Sequence, residues 1–358
     1  MYSLTLEINQ KCNLKCKYCY LQEKNGEEMS EEVLCSAIDF GVQNATNHND
    51  KKLDIDFIGG EPLINFELIK KAVAYAKLKA LNHNIEVSFM ITTNGLLLNK
   101  EIVDFLISES FNLKISIDGN KKVNDTNRIY QSGKGSYEGV IKQLAFVKDF
   151  EKRARRLVRV TNVVTKNNYK HYFDSVYHLV ENLDLHYIDS CIDLFPNWTQ
   201  DELETIQKEI CKIFDFFIEK YIKGEGFYWR FINHAEELMY DKQRFYSCGA
   251  GIVASYIRVD GEIFPCGSNT TKEVSLGNVR RKVNYGKIRF LMNLDKIDNE
   301  KCKICYMNEK CRINSCIMEN LNKNGTINKP VDTLCIMEKF AEKLYQEKKE
   351  ILLEVFGK

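Results

Sequence analysis

The sequence predicts an α/β fold: an open, partial (β/α)6 barrel of the TIM type, followed by a cysteine-rich domain and a closing helix. Two observations carry this prediction. Short β-branched runs alternate with amphipathic helical stretches over residues 1–190. From Cys248 to Cys335 this alternation stops, and seven cysteines, several glycines and short strand-like pieces replace it. The predicted domains are residues 1–235, 236–340 and 341–358.

Six short runs rich in β-branched residues are the predicted barrel strands. They are Ser3–Ile8, Leu53–Ile58, Ile85–Thr92, Leu113–Ile117, Leu157–Thr165 and Leu185–Ile192. Six βα units are too few for a closed eight-stranded barrel, so an open arrangement is expected. The loops at the carboxyl ends of parallel strands are then available for chemistry.

Segments with apolar residues three and four positions apart lie between these runs and are predicted helices. They are Glu31–Ala45, Phe66–Leu81, Lys100–Ser108, Tyr137–Phe150 and Tyr169–Asn182. Residues 199–222 are predicted as a further amphipathic helix. Short strands are expected at Val253–Val259 and Glu262–Pro265, and the closing helix at Ile336–Phe356.

Charge and hydropathy exclude several classes of partner. The 51 Lys and Arg residues nearly balance the 50 Asp and Glu residues, so the sequence predicts no nucleic-acid partner. No apolar run approaches the roughly 20 residues that span a bilayer. The start of the chain, Met1–Ile8, reads as a strand and not as a signal peptide, so a cytoplasmic location and no membrane partner are expected. In a reducing compartment, 13 clustered cysteines indicate metal binding, not disulfides.

Cys12, Cys16 and Cys19 directly follow the first predicted strand. Three thiolates within eight residues suit an iron–sulfur cluster, which is held by cysteine sulfurs. A structural zinc ion usually takes four ligands in two separated pairs, so a zinc loop is the weaker alternative. Because no fourth ligand is evident nearby, one iron would stay open to another molecule.

Polar and glycine-rich turns follow the next three strands. The first is Gly59–Pro62, in which the glycines permit a close backbone approach and Glu61 offers an acceptor for an ammonium group. Thr92–Gly95 and Ser116–Gly119 follow the third and fourth strands. Each is a weak turn motif alone, but their succession at consecutive strand ends indicates one shared site.

The Cys-x3-Cys-x2-Cys spacing, with an aromatic residue before the last cysteine, closely resembles the radical S-adenosylmethionine (SAM) superfamily. The resemblance implies a [4Fe–4S] cluster on Cys12, Cys16 and Cys19, with the amino and carboxylate groups of SAM on its open iron. It implies reductive cleavage of SAM to methionine and a 5′-deoxyadenosyl radical. It also implies SAM contacts from the strand-end motifs, namely Tyr18, Gly59, Gly60, Glu61, Pro62, Thr93, Asn94, Ser116 and Asp118.

The later cysteines resemble the SPASM extension of that superfamily, which carries two auxiliary [4Fe–4S] clusters. The resemblance assigns an outer cluster to Cys302, Cys305, Cys311 and Cys335, and an inner cluster to Cys248, Cys266 and Cys316. Three [4Fe–4S] clusters are therefore expected. The sequence departs from the family at Arg312–Ser315, where four residues stand in place of three, and this affects Cys316. A zinc ribbon is the alternative for this segment.

The inner set is one ligand short of four, so we expect an open iron that captures a cysteine of the substrate. Three cysteines remain outside both sets. Cys35 and Cys211 lie in helical patterns and are predicted to be small buried residues. Cys191, at the end of the sixth strand, is a candidate catalytic thiol.

The resemblance implies a maturase that forms a thioether or another side-chain crosslink in a ribosomally made, cysteine-containing peptide. Its expected partners are that peptide, a flavodoxin- or ferredoxin-type reductant and, because the chain opens at its first strand, a separate leader-binding protein. One alternative is the anaerobic sulfatase-maturating type, which makes formylglycine. That type usually has an aspartate where Gly267 stands, and a further cysteine near Cys248. A non-catalytic zinc or iron–sulfur binding protein is the other alternative.

Overall fold

The computed structural model describes residues 1–21, 26–234, 248–293, 299–308, 311 and 316–356. The predicted domain boundary at 235/236 and the departure at Arg312–Ser315 lie outside these residues. No helix in the described part of the chain has the length and apolar character needed to cross a membrane.

Within the described residues, ten strands form one sheet. They are β1 (Tyr2–Asn9), β2 (Lys52–Gly59), β3 (Glu86–Thr93), β4 (Asn112–Ser116), β5 (Arg159–Val164), β6 (Tyr187–Ile192), β7 (Tyr228–Trp229), β8 (Ala254–Ile257), β9 (Glu262–Phe264) and β10 (Gly277–Asn278). The order is β10-β9-β8-β1-β2-β3-β4-β5-β6-β7. All neighbours from β1 to β7 are parallel, which confirms the predicted partial barrel and its six main strands.

Helices connect the parallel strands, as right-handed βα crossovers require. The α-helices are α1 (Glu31–Thr46), α2 (Phe66–His83), α3 (Lys100–Ser108), α4 (Lys121–Asn127), α5 (Tyr137–Lys142), α6 (Leu144–Ala154), α7 (Tyr172–Tyr177), α8 (Gln200–Ile222), α9 (Tyr285–Met292), α10 (Glu300–Lys303), α11 (Ile317–Asn324), α12 (Asp332–Glu347) and α13 (Lys349–Phe356). Short non-α turns of helix flank α2 and α7 at Pro62–Asn65, Tyr169–His171 and His178–Asn182, and another lies between β9 and β10 at Lys272–Val274.

Three helical predictions differ from the structure. The predicted helix Tyr137–Phe150 is divided at Gln143 into α5 and α6, and Tyr169–Asn182 is a succession of three short helical turns. The predicted closing helix is two helices, α12 and α13, and the first of them begins before Cys335. Helix α4 was not predicted.

The strands of the cysteine-rich segment extend the barrel sheet. Strand β8 pairs in parallel with the outer edge of β1, from Ser3 opposite Ala254 to Leu6 opposite Ile257. Strand β9 is antiparallel to β8, and β10 is antiparallel to β9. Residues on both sides of the predicted domain boundary therefore share one hydrogen-bonded sheet.

Alternation along each strand separates an apolar face from a polar one. In β1, Leu4, Leu6 and Ile8 are fully buried in the core formed with the helices. Thr5, on the opposite face, lines a cavity inside the barrel. The face of β1 opposite the core therefore points into the barrel interior, where a functional site is expected.

Candidate active site

A cavity of about 1000 Å³ occupies the barrel interior and the mouth formed by loops after the strands. Most of the predicted SAM-site residues line it: Cys12, Cys16, Tyr18, Cys19, Gly59, Gly60, Glu61, Thr93, Asn94 and Ser116. Cys248, Cys266 and Cys316, the predicted inner set, line the same cavity. Two groups of thiols far apart in sequence thus face one space.

The loop that carries the first three cysteines is held by the segment after α4. The Lys15 N–H donates to the Ile129 carbonyl at 2.7 Å, and the Lys17 N–H donates to the Asn127 carbonyl at 3.0 Å. Leu14 is fully buried and forms a β-bridge with Tyr130. These contacts hold the outer side of the loop, and the thiols on its other side face the cavity.

Gly59 and Gly60 allow the loop after β2 to lie directly against the start of the cysteine loop. A Cβ atom at Gly59 would stand 2.3 Å from the Asn9 carbonyl oxygen, and one at Gly60 would stand 2.1 Å from the Lys11 carbonyl oxygen. The Glu61 N–H donates to that Lys11 oxygen at 2.7 Å. Only glycine fits such an approach, so these positions set the distance between the two loops.

The Glu61 carboxylate is fully buried and accepts three hydrogen bonds. Leu63 N–H and the Thr93 hydroxyl donate to Oε1 at 3.1 and 2.7 Å, and Asn94 N–H donates to Oε2 at 2.7 Å. Burial raises the pKa of this carboxyl, while the donors from Asn94, Thr93 and Leu63 oppose the rise. The side chain therefore ties the loop after β2 to the loop after β3. Pro62 is buried at the first position of the helical turn that follows.

Asn94 connects the β3 loop to the cysteine loop. Its side-chain N–H groups donate to Asn13 Oδ1 at 2.6 Å and to the Cys12 sulfur at 3.9 Å. The Leu14 backbone N–H also points to the Cys12 sulfur, at 3.3 Å. N–H donors to a ligating sulfur are one of the features that set the potential of an iron–sulfur cluster.

Tyr18, Asp118 and Arg128 form a buried hydrogen-bonded chain. The Tyr18 hydroxyl donates to both Asp118 carboxylate oxygens at 2.7 and 2.9 Å, and Arg128 Nη1 donates to the Tyr18 oxygen at 2.9 Å. Asp118 is not among the residues that line the cavity. Burial raises the pKa of its carboxyl to about 6, and Arg128, Tyr18 and the Val163 N–H oppose this rise. Sequence reasoning missed Arg128, which follows the unpredicted α4 and lines the cavity beside the cysteines.

The later cysteines fall into two groups by the electrostatic contacts among their thiols. Burial raises the pKa of Cys316 to about 12, and Cys248 and Cys266 add to the effect, so these three thiols lie within electrostatic reach of one another. The pKa of Cys335 is likewise raised to about 12 by burial and by Cys311 and Cys302. Cys305 contributes in the same way to the raised pKa of Cys302, after burial.

These groups have the donor chemistry that iron–sulfur clusters require. All 13 cysteines are in the described ranges, and each carries a thiol. In the described part of the chain, no three cysteine, histidine or carboxylate side chains converge closely enough to hold one metal ion. Thiolates are the ligands of iron–sulfur clusters, so the donor chemistry of both groups is compatible with them.

The remaining cysteines lie away from these groups. Cys35 and Cys211 are partly exposed, which corrects the prediction that they are buried: each lies beside the buried face of its helix. Cys191 is exposed at the end of β6 and is outside the lining of the cavity, although the neighbouring Ile192 and Asp193 line it. Burial among surrounding atoms, and then Asp189, raise the pKa of the Cys191 thiol. Lys114 and Arg230 oppose this rise, and a catalytic role for Cys191 stays a prediction.

Charged side chains line the interior below the cysteine loop. The Asp189 carboxylate pairs with Lys114 at 2.8 Å and Arg230 at 3.2 Å. Burial raises its pKa, but these two cations outweigh burial, and the net shift is downward. Asp56, on β2, has a pKa raised to about 7, first by burial, with Lys114 opposing the rise.

Sequence comparison identifies a known domain within the chain. Residues 6–155 match the radical SAM superfamily. An uncharacterised protein of Methanocaldococcus jannaschii is 34% identical over 180 residues, which are 50% of this chain and 59% of that protein. The chain thus spans less than two thirds of that relative. A cysteine-type anaerobic sulfatase-maturating enzyme of Clostridium novyi is 24% identical over 335 residues, 87% of each chain. The radical SAM cyclopropyl synthase TigE of Paramaledivibacter caminithermalis is 21% identical and covers 96% of this chain and 72% of its own.

Comparison with solved structures supports the same fold. Native anSMEcpe with bound AdoMet has a TM-score of 0.79 at 20% identity and covers 99% of both chains. Streptococcus suis SuiB bound to precursor peptide SuiA has a TM-score of 0.58 at 20% identity, over 93% of this chain and 75% of SuiB. These likenesses confirm the predicted fold. The match over residues 6–155 confirms the predicted family for that part of the chain, which is a radical SAM domain.

Proposed function

We propose that this enzyme forms a thioether or another side-chain crosslink in a ribosomally made, cysteine-containing peptide. The observation that carries the proposal is the single cavity lined both by Cys12, Cys16 and Cys19 and by Cys248, Cys266 and Cys316. A substrate in this space would reach both sets of thiols. Relatives whose names or structures refer to sulfatase maturation, a cyclopropyl synthase and a precursor peptide support a peptide substrate.

The residues around the first three cysteines suit SAM. A cluster on those cysteines, with SAM on its open iron, supplies a radical that removes hydrogen from an unactivated carbon. Arg128 is 5% exposed and lines the cavity, and its Nε has no hydrogen-bond partner in the described structure. A buried guanidinium with an unused N–H suits a carboxylate, and we assign to Arg128 the carboxylate of the methionine moiety. Glu61, with its three donors, holds the neighbouring loops in place.

The second set of thiols suits capture of the substrate. Cys248, Cys266 and Cys316 offer three ligands to a [4Fe–4S] cluster that needs four. A thiolate from the peptide would complete the set and hold the reacting cysteine in the cavity. Cys302, Cys305, Cys311 and Cys335 would hold a third cluster, and a flavodoxin- or ferredoxin-type protein would supply electrons. We propose a cytoplasmic location, where the thiols remain reduced.

Metal content is the first test. After anaerobic purification we expect about 12 iron and 12 sulfide per chain, as three four-iron clusters require. Cys12→Ala and Cys311→Ala should each remove about four iron, whereas Cys35→Ala should remove none. Zinc in place of iron in the C-terminal set would restrict the chemistry to one cluster and contradict the capture of a substrate thiolate.

The reaction itself is tested with a cysteine-containing peptide, SAM and a chemical reductant. Thioether formation removes two hydrogen atoms from the peptide and consumes one thiol, both visible by mass spectrometry and alkylation. Spectral change on adding the thiol peptide to the reduced or oxidised protein tests capture independently of turnover. A peptide that loses no hydrogen while SAM is cleaved in its presence would contradict the crosslinking proposal.

The sulfatase-maturating reaction is the second candidate, because relatives with that name align with 87% of this chain. The residue Gly267 weighs against it. A Cβ atom there would stand 2.8 Å from the Tyr256 ring, and the Tyr256 hydroxyl donates to Glu7, so an aspartate would displace an anchored ring. The same mass measurement separates the two, since conversion of cysteine to formylglycine exchanges hydrogen sulfide for an oxygen atom.

A further inference from the structure

A second cavity, of about 840 Å³, adjoins the cysteine-rich part of the sheet. Strand β9 connects it with the active-site cavity: Glu262 and Phe264 line the second cavity, and the next two residues, Pro265 and Cys266, line the first. We call the second cavity the basic groove. Its lining residues are Arg258, Asp260, Glu262, Phe264, Thr270, Lys272, Ser275, Gly277, Lys282, Val283, Asn284, Tyr285, Gly286, Lys287 and Arg289.

The basic groove concentrates positive charge. Five cationic side chains and two carboxylates line it, in a chain whose overall net charge is only +1. Both carboxylates are already engaged. Asp260 pairs with Arg258, and Glu262 accepts from the Ser275 hydroxyl at 2.5 Å and from Asn278 Nδ2 at 3.4 Å.

Three of the cations form no ion pair within the described structure, although the Glu273 carboxylate lies near Lys272. Lys287 is used internally, since its ammonium group donates to the Glu273 and Ser275 carbonyls at 2.7 and 2.8 Å. Lys272, Lys282 and Arg289 are exposed and form no ion pair there. Like charges that share one cavity repel one another unless an anion neutralises them, so the groove favours an anionic ligand.

The lining also suits a chain of residues better than a small anion. The 57%-exposed ring of Tyr285 lies among the cations, so the groove offers an apolar contact beside its charges. The volume approaches that of the active-site cavity itself. A phosphate ion would use a few converging donors, whereas a peptide with spaced carboxylates would use the separate cations and the Tyr285 ring together.

The elements that form the basic groove pack against the turn after Cys248. Leu276, which precedes β10, and Leu291, on α9, pack against Gly251: a Cβ atom there would stand 3.3 and 2.6 Å from their methyl carbons. It would also stand 3.3 Å from Pro265 Cβ. The elements that form the basic groove therefore also support the segments carrying Cys248 and Cys266.

We propose that the basic groove binds an acidic segment of the peptide substrate, away from the residues that react. This inference rests on the proposed peptide-modifying function. A peptide held at the groove through its acidic segment presents its cysteine-containing part to the adjacent cavity at high effective concentration. The groove would then select substrates by charge, while the cavity carries out the chemistry.

The test is fluorescence anisotropy of a labelled oligoglutamate peptide added to the cluster-loaded full chain without SAM, with oligoglutamine of equal length as the uncharged comparator. The test variant is Lys272→Glu/Lys282→Glu/Arg289→Glu. The matched control, Lys122→Glu/Lys152→Glu/Lys208→Glu, reverses three exposed cations elsewhere. We expect the native chain and the control to bind oligoglutamate, with weaker binding at high salt, and the groove variant to bind about 10-fold or more weakly. Iron content and thermal unfolding of each variant verify its folding.

Several results would overturn the proposal. Equal losses in the two triple variants would indicate attraction to net charge alone, and equal binding of oligoglutamine would remove the role of charge. Competition by inorganic phosphate at lower concentrations than oligoglutamate would make the groove a small-anion site. If the groove variant lost binding to an acidic flavodoxin but not to oligoglutamate, the groove would serve the electron donor. Because no turnover is measured, groove binding without crosslinking would refute only the proposed function.

Discussion

Arg128 shows how much of the site depends on one buried side chain. A guanidinium this deeply buried needs anionic or polar partners, and Tyr18 and Asp118 supply only part of them. Its unused Nε–H distinguishes a residue prepared for a ligand from one that only joins two loops. The motifs could not identify Arg128, because a single arginine after an ordinary polar stretch carries no sequence signal.

Replacing Arg128 by lysine should weaken SAM binding by about 10-fold or more. A lysine keeps the charge but cannot bond Tyr18 and a carboxylate with one planar group. Equilibrium binding of SAM to the cluster-loaded protein measures the effect. Arg156→Lys is the control, since Arg156 is exposed and donates to the Ser110 carbonyl at 2.6 Å. Unchanged SAM affinity in Arg128→Lys would remove Arg128 from the binding site.

Asp56 should make the free energy of unfolding depend on pH. Its pKa is about 7 in the folded chain, mainly through burial, and about 4 in the unfolded chain. The folded state therefore holds the proton more tightly, so this contribution is present below pH 4 and is lost as the pH rises through 7.

Asp56→Asn should remove this pH-dependent loss of the free energy of unfolding, because asparagine has no charge to desolvate. Between pH 5 and pH 8, urea unfolding should show the native chain losing on the order of 2 kcal/mol more than the variant. Asp215→Asn, at an exposed position of α8, should behave like the native chain. Equal losses in all three proteins would show that Asp56 does not titrate in this range.

At the scale of the elements, the site is built from loops that lie unusually close together. The loop after β2 contacts the cysteine loop through Gly59 and Gly60, and Glu61 then ties it to the loop after β3. The strands place these loops side by side, and the glycines determine how near they come. The cysteine loop and the loops after β2 and β3 therefore surround one site.

Gly60→Ala should separate these loops. The new methyl group would meet the Lys11 carbonyl oxygen, a backbone atom that cannot rotate away. We expect a destabilisation of about 1–3 kcal/mol together with lower iron content and weaker SAM binding. Gly226→Ala is the control, because its nearest neighbour is the Tyr221 ring at 3.1 Å, which can shift. Full iron content in Gly60→Ala would show that the loop spacing is not critical.

Local sequence patterns predicted the six main strands and most helices, and missed the element that presents Arg128. The strands succeed because β-branched runs and buried alternation are local signals. Helix α4 has a single buried hydrophobic residue, Val123, and instead buries Asn124 and Asn127. Asn127 donates to Thr165, and Asn124 accepts from the Asp118 N–H, contacts that no periodicity reveals.

At the scale of the whole molecule, the radical SAM barrel and the cysteine-rich segment are joined by β1 and β8. The motifs predicted the barrel, because strand, turn and Cys12–Cys19 spacings are local signals. They did not predict that the second part would complete the sheet of the first. The pairing of Ser3–Leu6 with Ala254–Ile257 joins segments that are far apart in the sequence. Local propensity indicates that each is a strand but does not specify which strands pair.

A chain that ends at His234 should self-associate. It lacks β8, so the outer edge of β1 presents unpaired N–H and C=O groups to other molecules. Size-exclusion chromatography with light scattering should show large species. A chain that ends at Lys348 keeps β8–β10 and should behave like the full chain. A monomeric, well-folded 1–234 fragment would contradict this account of the edge.

The pairing of β1 with β8 also affects the order in which the sheet forms during synthesis of the chain. The ribosome makes Ser3 about 250 residues before Ala254, its partner across the ladder. At the 5–20 residues per second typical of translation, β1 waits on the order of tens of seconds for that partner. During this interval the nascent chain carries an incomplete sheet edge and the thiols of Cys12, Cys16 and Cys19, while Cys248 has not yet been synthesised. The sheet edge at β1 is therefore completed only late in synthesis, after the first three cysteines have long been available.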